Sequence, residues 1–267
     1  MNLGDRTIRD FGEQWTRFSE PATGWYGSVE SLQDIASPLF DLGRVNGATV
    51  LDLGAGTGRF TRILLDLGAK LVIAVEPSKA MEALRANTRH IADRVDYQES
   101  RADQLDLASV ADIAIAIGVL HHIPNPDEAV GSLYRALKPG GVFLAWVYGR
   151  EGNEAYLRFT LPLRRCASIM PSWLRIGLAG AVLPFADLYM MLCAGFRLPL
   201  RDFMRGVQAR LSWRQRLLNV YDQLNPAFAK YYTRDEAMAL LTRNGFHNVR
   251  CHHRRGYSWA VLGERSA

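Results

Sequence analysis

The stretch VLDLGAGTGRF, from Val50 to Phe60, is the place to begin. An apolar run ends in an acidic residue and three glycines, then gives way to helical periodicity. The pattern predicts a strand over Val50–Leu53, a turn through Gly54, Gly56 and Gly58, and a helix starting near Thr57. Glycine serves where φ is positive or where a Cβ would strike a ligand. The helix N-terminus adds free N–H groups and the positive end of a dipole. A dinucleotide fingerprint reads GxGxxG and seats a pyrophosphate. Here the spacing is GxGxG, and Asp52 stands two residues before the first glycine.

Outward from that turn, residues 46–149 alternate short β-branched runs (ATVLDL, KLVIAVE, RVDYQE, ADIAIAIG, GVFLAWVY) with helical patterns at Gly58–Leu67, Lys79–Ala92 and Asp127–Leu137. Near-continuous apolar strands alternating with helices predict a parallel sheet covered on both faces. Toward the end of the chain, TRDEAMALLTRNGF reads as a capped helix, with Thr233 and Glu236 forming a capping box and Gly245 a stop. HNVRCHHRRGYSWAVLGER then reads as two strands turning near Gly256. The expected fold is α/β: a doubly wound, seven-stranded, mostly parallel sheet closed by an antiparallel hairpin, with a helical insert. Four regions follow: an N-terminal helical lid over residues 1–45, a ligand-binding core over 46–149, a helical insert over 150–230, and a last helix and hairpin over 231–267.

The net charge of +5 is unevenly placed. Between Glu151 and Tyr232 stand eleven Lys/Arg and five Asp/Glu, while the remainder carries twenty-one basic and twenty-two acidic residues. The basic character belongs to the insert, which predicts either an anionic partner for that segment or a solvated arginine-rich face. Three scattered cysteines argue for a reducing compartment and against disulfides or zinc. MNLGDRTIRDFGEQW has no apolar core, so it does not read as a secretory signal, and a cytoplasmic location is expected.

An acid at Asp52 suits a cationic amino group better than two phosphates. Glu76 ends the second apolar run, about twenty residues on, where a carboxylate accepts the hydroxyls of a ribose. A ribose, a positively charged amino acid tail and no phosphate describe S-adenosylmethionine. The text VLDLGAGTGRF, VIAVEPS and IAIGVLHHIPNPDEAVGSLYRALKPGGVFLAW resembles the class I S-adenosylmethionine-dependent methyltransferases. It is closest to the small-molecule group that includes the ubiquinone and menaquinone C-methyltransferases.

The resemblance implies that Asp52, Gly54, Ala55 and Gly56 line the methionine side of the cofactor. It implies that Glu76, with Pro77, holds the ribose, and that Gly118 faces the sulfonium. Arg101 stands where the family has an acid for the adenine amino group, so Ala102 and Asp103 are expected to take that contact. FGEQW resembles a lid, with Phe11 and Trp15 covering the cofactor and Gln14 bonding it; hydrophobic docking of an N-terminal helix explains the aromatic residues equally well.

Val119 to His122 would border the acceptor. His121, then His122, are the candidate general bases, with Tyr148 and Asp222 as alternatives; helix capping or packing is the competing role for the histidine pair. In the insert, SWLRIGLAGAVLPFADLYMMLCAGF is apolar enough to raise the question of a membrane span, but Arg175, Pro184 and Asp187 break it. Two short helices around Pro184 are expected instead. RLPLRDFMRGVQARLSWRQRLL mixes arginines with bulky apolar residues and suits an interfacial helix, giving peripheral membrane contact through 173–216, or a pocket for an anionic or lipid-linked acceptor.

The expected function is methyl transfer to a small-molecule, lipid-linked or glycan acceptor, at oxygen. The rivals are a methyltransferase acting on RNA or protein, an NAD-type oxidoreductase, and a non-catalytic module that binds S-adenosylmethionine. Nucleic acid is disfavoured because the basic residues alternate with bulky apolar ones.

Overall fold

A computed structural model describes residues 2–167 and 170–267; residues 168–169 of the expected insert lie outside the described residues. The chain opens with helices α1 (Leu3–Arg17) and α2 (Val29–Ala36) and then enters strand β1 (Thr49–Leu53). Helix α3 (Arg59–Asp66), strand β2 (Leu71–Val75), helix α4 (Ala80–Thr88) and strands β3 (Val95–Gln98) and β4 (Ala111–Ile117) follow. Helix α5 (Pro126–Ala136) leads to strand β5 (Leu137–Tyr148). The seven strands form one sheet in the order β3-β2-β1-β4-β5-β7-β6, where β6 (His247–Arg254) and β7 (Ser258–Glu264) are the closing hairpin. The first five strands pair in parallel, and β7 runs antiparallel to both β5 and β6.

Unalternated apolar runs need cover on both faces, and successive side chains point to opposite faces. Leu51, Leu53, Ala114, Phe143 and Val147 face α5 and the last helix, α10 (Arg234–Thr242). Val50, Ile113, Ile115 and Leu144 face α2, α3 and α4. Helix α10 begins at the expected capping box: Thr233 Oγ1 accepts from the Glu236 N–H, and Glu236 Oε2 accepts from the Thr233 N–H. Parallel strands leave β1 and pass to either side of it, so a crevice opens at their carboxyl ends between β1 and β4.

Two expectations for the insert are corrected. Residues 172–195 form a single helix, α7 (Ser172–Gly195), and not two helices about Pro184. Pro184 is exposed, and Gly180, whose carbonyl the ring opposes, has open space beside it, so that carbonyl can tilt toward water. The following residues do not continue as one interfacial helix. Helix α8 (Arg201–Gly206) is short, and a capping box between Ser212 and Gln215 starts a fresh helix, α9 (Trp213–Leu224). With α6 (Glu154–Ala167), which precedes α7, these helices build a small third core around Phe18, Ala167, Ala179, Tyr221 and Leu224. Helix α10 (Arg234–Thr242) returns the chain to the sheet.

Buried polar groups must find partners, and here they tie the insert to the N-terminus. Asn225 Nδ2 donates to the Asp10 carbonyl and to Gln14 Oε1, each at 2.9 Å. Arg175 Nη1 donates to the Asn225 carbonyl at 2.8 Å, and the Ala227 N–H to Asp10 Oδ2 at 3.1 Å. Replacing Asn225 by Ala removes two buried hydrogen bonds and strands Gln14 Oε1. The expected loss is about 2–4 kcal/mol, read as a lower urea midpoint at unchanged slope; an unmoved midpoint would mean that α1 is held by its apolar contacts alone.

Candidate functional site

The turn after β1 is built as its spacing requires. Gly54, Gly56 and Gly58 all have positive φ, at +70°, +56° and +86°. A Cβ on Gly54 would stand 2.5 Å from Val119 Cγ2, so no side chain fits there. Gly58 is the left-handed N-cap of α3, which therefore starts at Arg59 and not near Thr57.

Glu76, just past β2, fastens this turn to its neighbour. Its Oε2 accepts from the Gly56 N–H at 2.9 Å, and its Oε1 from the Ser78 N–H and hydroxyl at 3.0 and 2.5 Å. Burial raises its pKa, and the bonds from Ser78 and Gly56 oppose that rise. Asp52 lies deeper in β1, where Oδ2 accepts from Thr61 Oγ1 at 2.7 Å. Burial pushes its carboxyl up to about 6, against the Thr61 bond and with help from the neighbouring charge of Glu76. Both carboxylates lack a cation partner among the described residues. A pocket that holds anionic charge at this cost is matched by a cationic ligand.

A cavity of about 560 Å³ opens over this turn. That volume lies in the range of small-molecule sites. Gly54, Ala55, Gly56, Glu76, Pro77 and Gly118 line it. Phe11 and Trp15 of α1 cover it, and Ala102 and Asp103 close a further side. Of the other expected cofactor residues, Asp52 stands behind the lining, and Gln14 is fully buried. Gln14 Nε2 donates to Asp222 Oδ1 at 2.8 Å, so its side chain orders the insert and does not face the cavity. Arg101 grips Asp103 with Nε and Nη2, each at 3.0 Å, and also Asp5. That grip holds Asp103 below the usual carboxylate range.

The histidine pair separates. His121 is fully buried, stacks on Tyr148 with centroids 3.8 Å apart, and has both ring nitrogens unpartnered. It does not line the cavity, and burial lowers its pKa well below the ordinary value. His122 does line it. Its Nδ1 stands 2.9 Å from the Phe228 carbonyl, an acceptor only, so Nδ1 carries the proton and Nε2 the lone pair. Burial lowers its pKa to about 3.

The cavity wall also holds groups to which the sequence gives little or no weight. Asp222 lines it, taking hydrogen bonds from Gln14 on Oδ1 and from Tyr148 Oη on Oδ2 at 3.0 Å. Burial raises its pKa, opposed by those two bonds. Trp146, Tyr148 and Tyr257 bring aromatic surface. Arg59 lies on the Tyr26 ring at 3.6 Å, donates to the Tyr26 carbonyl and Ser31 Oγ, and has no carboxylate partner among the described residues. Its position directly after the last glycine of the turn is the one sequence signal that pointed to it.

A doubly wound sheet with a glycine turn at its switch point, and a buried carboxylate ending the second strand, defines a nucleoside-binding α/β domain. A family model for a methyltransferase domain matches residues 29–250, and the chain belongs to that family, whose cofactor is S-adenosylmethionine. The dinucleotide oxidoreductase reading is thereby set aside. A ubiquinone biosynthesis O-methyltransferase of Paramagnetospirillum magneticum is 30% identical over 107 residues, 40% of this chain and 43% of that protein. A ubiquinone/menaquinone biosynthesis C-methyltransferase of Methylococcus capsulatus is 33% identical over 121 residues, 43% of this chain and 49% of the relative. The chain thus matches less than two thirds of the length of these curated relatives. An O-methyltransferase family protein from Burkholderia thailandensis shares the fold, with a TM-score of 0.55 at 16% identity, over 96% of this chain and 59% of that one.

The residues fit that cofactor. The side-chain-free turn leaves room at Gly54 and Gly56, Glu76 offers a carboxylate for ribose hydroxyls, and Asp52 and Glu76 supply uncompensated negative charge. Replacing Glu76 by Ala is expected to weaken S-adenosylmethionine by roughly 1.5–3 kcal/mol in calorimetric titration; unchanged affinity would place the ribose elsewhere. Affinity should also depend on pH with a definite sign. A cation favours ionised Asp52, so binding weakens as pH falls through about 6. The fall approaches about tenfold per pH unit, and Asp52→Asn should flatten it.

Proposed function

We propose that this chain transfers a methyl group from S-adenosylmethionine to a small, largely apolar acceptor at an oxygen atom, with Asp222 taking the proton. The observation that supports this most is one continuous cavity. Its wall carries the glycine turn and Glu76 and, with them, Asp222 and His122 among aromatic rings. The names of the relatives, methyltransferases of ubiquinone biosynthesis, favour a ring-bearing acceptor of this kind.

When bound, the cofactor supplies a methyl group on a sulfonium, an electrophile with a good leaving group. What remains for the protein is to hold the acceptor oxygen in line, keep water out and receive a proton. Phe11, Trp15, Trp146 and Tyr257 form the dry walls. Two groups present lone pairs, and their environments move them in opposite directions. Burial takes His122 down to about 3, far from a useful base, whereas it lifts Asp222 toward working pH. Each Asp222 oxygen already accepts one bond, from Gln14 or Tyr148, which fixes the carboxylate and leaves lone pairs for an acceptor hydroxyl. His122 Nε2 then serves as a neutral acceptor that orients that hydroxyl. Arg59, half-buried and without a carboxylate partner among the described residues, favours an acceptor or cofactor group that is negative.

Asp222→Asn should lower kcat by about 10²–10⁴-fold, the range for loss of a general base, with cofactor affinity unchanged. His122→Ala should cost less. The assay is methyl transfer to a panel of phenols, hydroquinones and catechols. An Asp222→Asn variant of full activity toward an acceptor that the wild type methylates would overturn the assignment of the base. Rates should fall as pH drops, because Asp222 and Asp52 protonate, and no inflection from His122 should appear near 6.5.

A further inference from the structure

The insert carries surface that methyl transfer does not use. Helix α7 has 24 residues and a mean hydropathy of 1.7 over its most apolar window. A helix apolar all round is normally enclosed. Its inner side is enclosed: Ala179, Leu183 and Cys193 are buried, and Val182 and Ala186 line the cavity. The outer side is not. Trp173 is 66% exposed, Phe185 73%, Leu188 56% and Met191 67%, spaced three to twelve residues apart along the same helix. Phe159 of α6, Phe196 just after α7 and Trp213 of α9 are also exposed.

The charge of the same segment names what covers that face. Residues 155–216 contain ten arginines, no lysine and two acids, and one of those acids, Asp187, is paired with Arg216 at 2.9 Å. Arg158, Arg197 and Arg205 are exposed, on α6, just after α7 and on α8. A second copy of the chain would bring two such cationic surfaces together and is disfavoured by repulsion. RNA would meet the arginines and leave Phe185 and Met191 in water. An anionic bilayer satisfies both, with apolar rings in the acyl boundary and guanidinium groups at the headgroups.

We propose that the outer face of α7 docks the protein on anionic membranes as a helix lying in the interface. It does not span: Arg175 near its start donates to the Asn225 carbonyl, and Ala179, Leu183 and Cys193 farther along are buried against the rest of the protein. Because Val182 and Ala186 on that helix also line the cavity, docking sets the cavity beside the apolar layer. An acceptor dissolved in lipid then enters without crossing water. This last step rests on the acceptor class proposed above; the docking itself does not.

The test is flotation of the full chain with vesicles of phosphatidylcholine alone or with one third phosphatidylglycerol, in low and high salt. S-adenosylmethionine titration of the same samples reports that the fold and the cofactor site are intact. The wild type should float with the anionic vesicles, with release in high salt and a blue shift of tryptophan emission. F185E combined with M191E should abolish flotation, and R197Q with R205Q should weaken it about fivefold for each charge removed, cofactor binding being unchanged throughout. Absence from both vesicle types would overturn the proposal. Sedimentation as a dimer that F185E with M191E dissociates would assign the face to a second copy instead. Vesicle binding without turnover of any lipid-soluble acceptor would sink the acceptor reading and leave the docking standing.

Discussion

One carboxylate holds the site in register. Glu76 leaves the end of β2 and takes the amide of Gly56 in the neighbouring turn, while its other oxygen holds Ser78 at the start of the next segment. The turn needs that anchor. Its three glycines supply the positive φ that the close approach requires, and they carry the largest entropy cost of any residue. Fixing the turn from outside, by an acceptor that is itself buried, holds its backbone in place before a ligand arrives. The cost is a carboxylate held out of water beside a second one, Asp52, with no ion-pair partner for either among the described residues. A positively charged ligand offsets that cost, so the selectivity of this pocket starts with the electrostatics of its own frame.

What could be read along the chain was what depends on near neighbours. The strands, the glycine turn, the Thr233 capping box and the closing hairpin each arise from residues within a few positions of one another, and they stand where their patterns indicate. The expected cofactor residues around Gly54, Glu76 and Gly118 line one cavity for the same reason, since strand order alone brings their ends together. Contacts across long separations were not legible. Gln14 reads as a cofactor ligand through the resemblance of FGEQW to a lid; its partner, Asp222, is 208 residues away. His121 and His122 are adjacent in sequence and equivalent by pattern. Only the packing of Tyr148 puts one behind the wall and the other on it.

The insert shows the other limit. Pro184 was read as a break because proline removes one amide and crowds one carbonyl. Its position on the exposed side, opposite an unobstructed glycine, lets the helix carry it through. Conversely, the arginine-rich stretch after α7 reads as continuous by composition and is divided by Ser212, whose reciprocal bonds with Gln215 start a new helix. In both places local geometry outweighed composition.

Helix α1 takes part in both halves of the site. Phe11 and Trp15 line the cavity, and Gln14, between them, steadies the Asp222 carboxylate assigned as the base. A rigid helix cannot seat one set of these side chains without committing the other. One fifteen-residue helix therefore shapes the wall against the cofactor and, through Gln14, fixes the carboxylate assigned as the base, so a substitution that shifts α1 is felt in both.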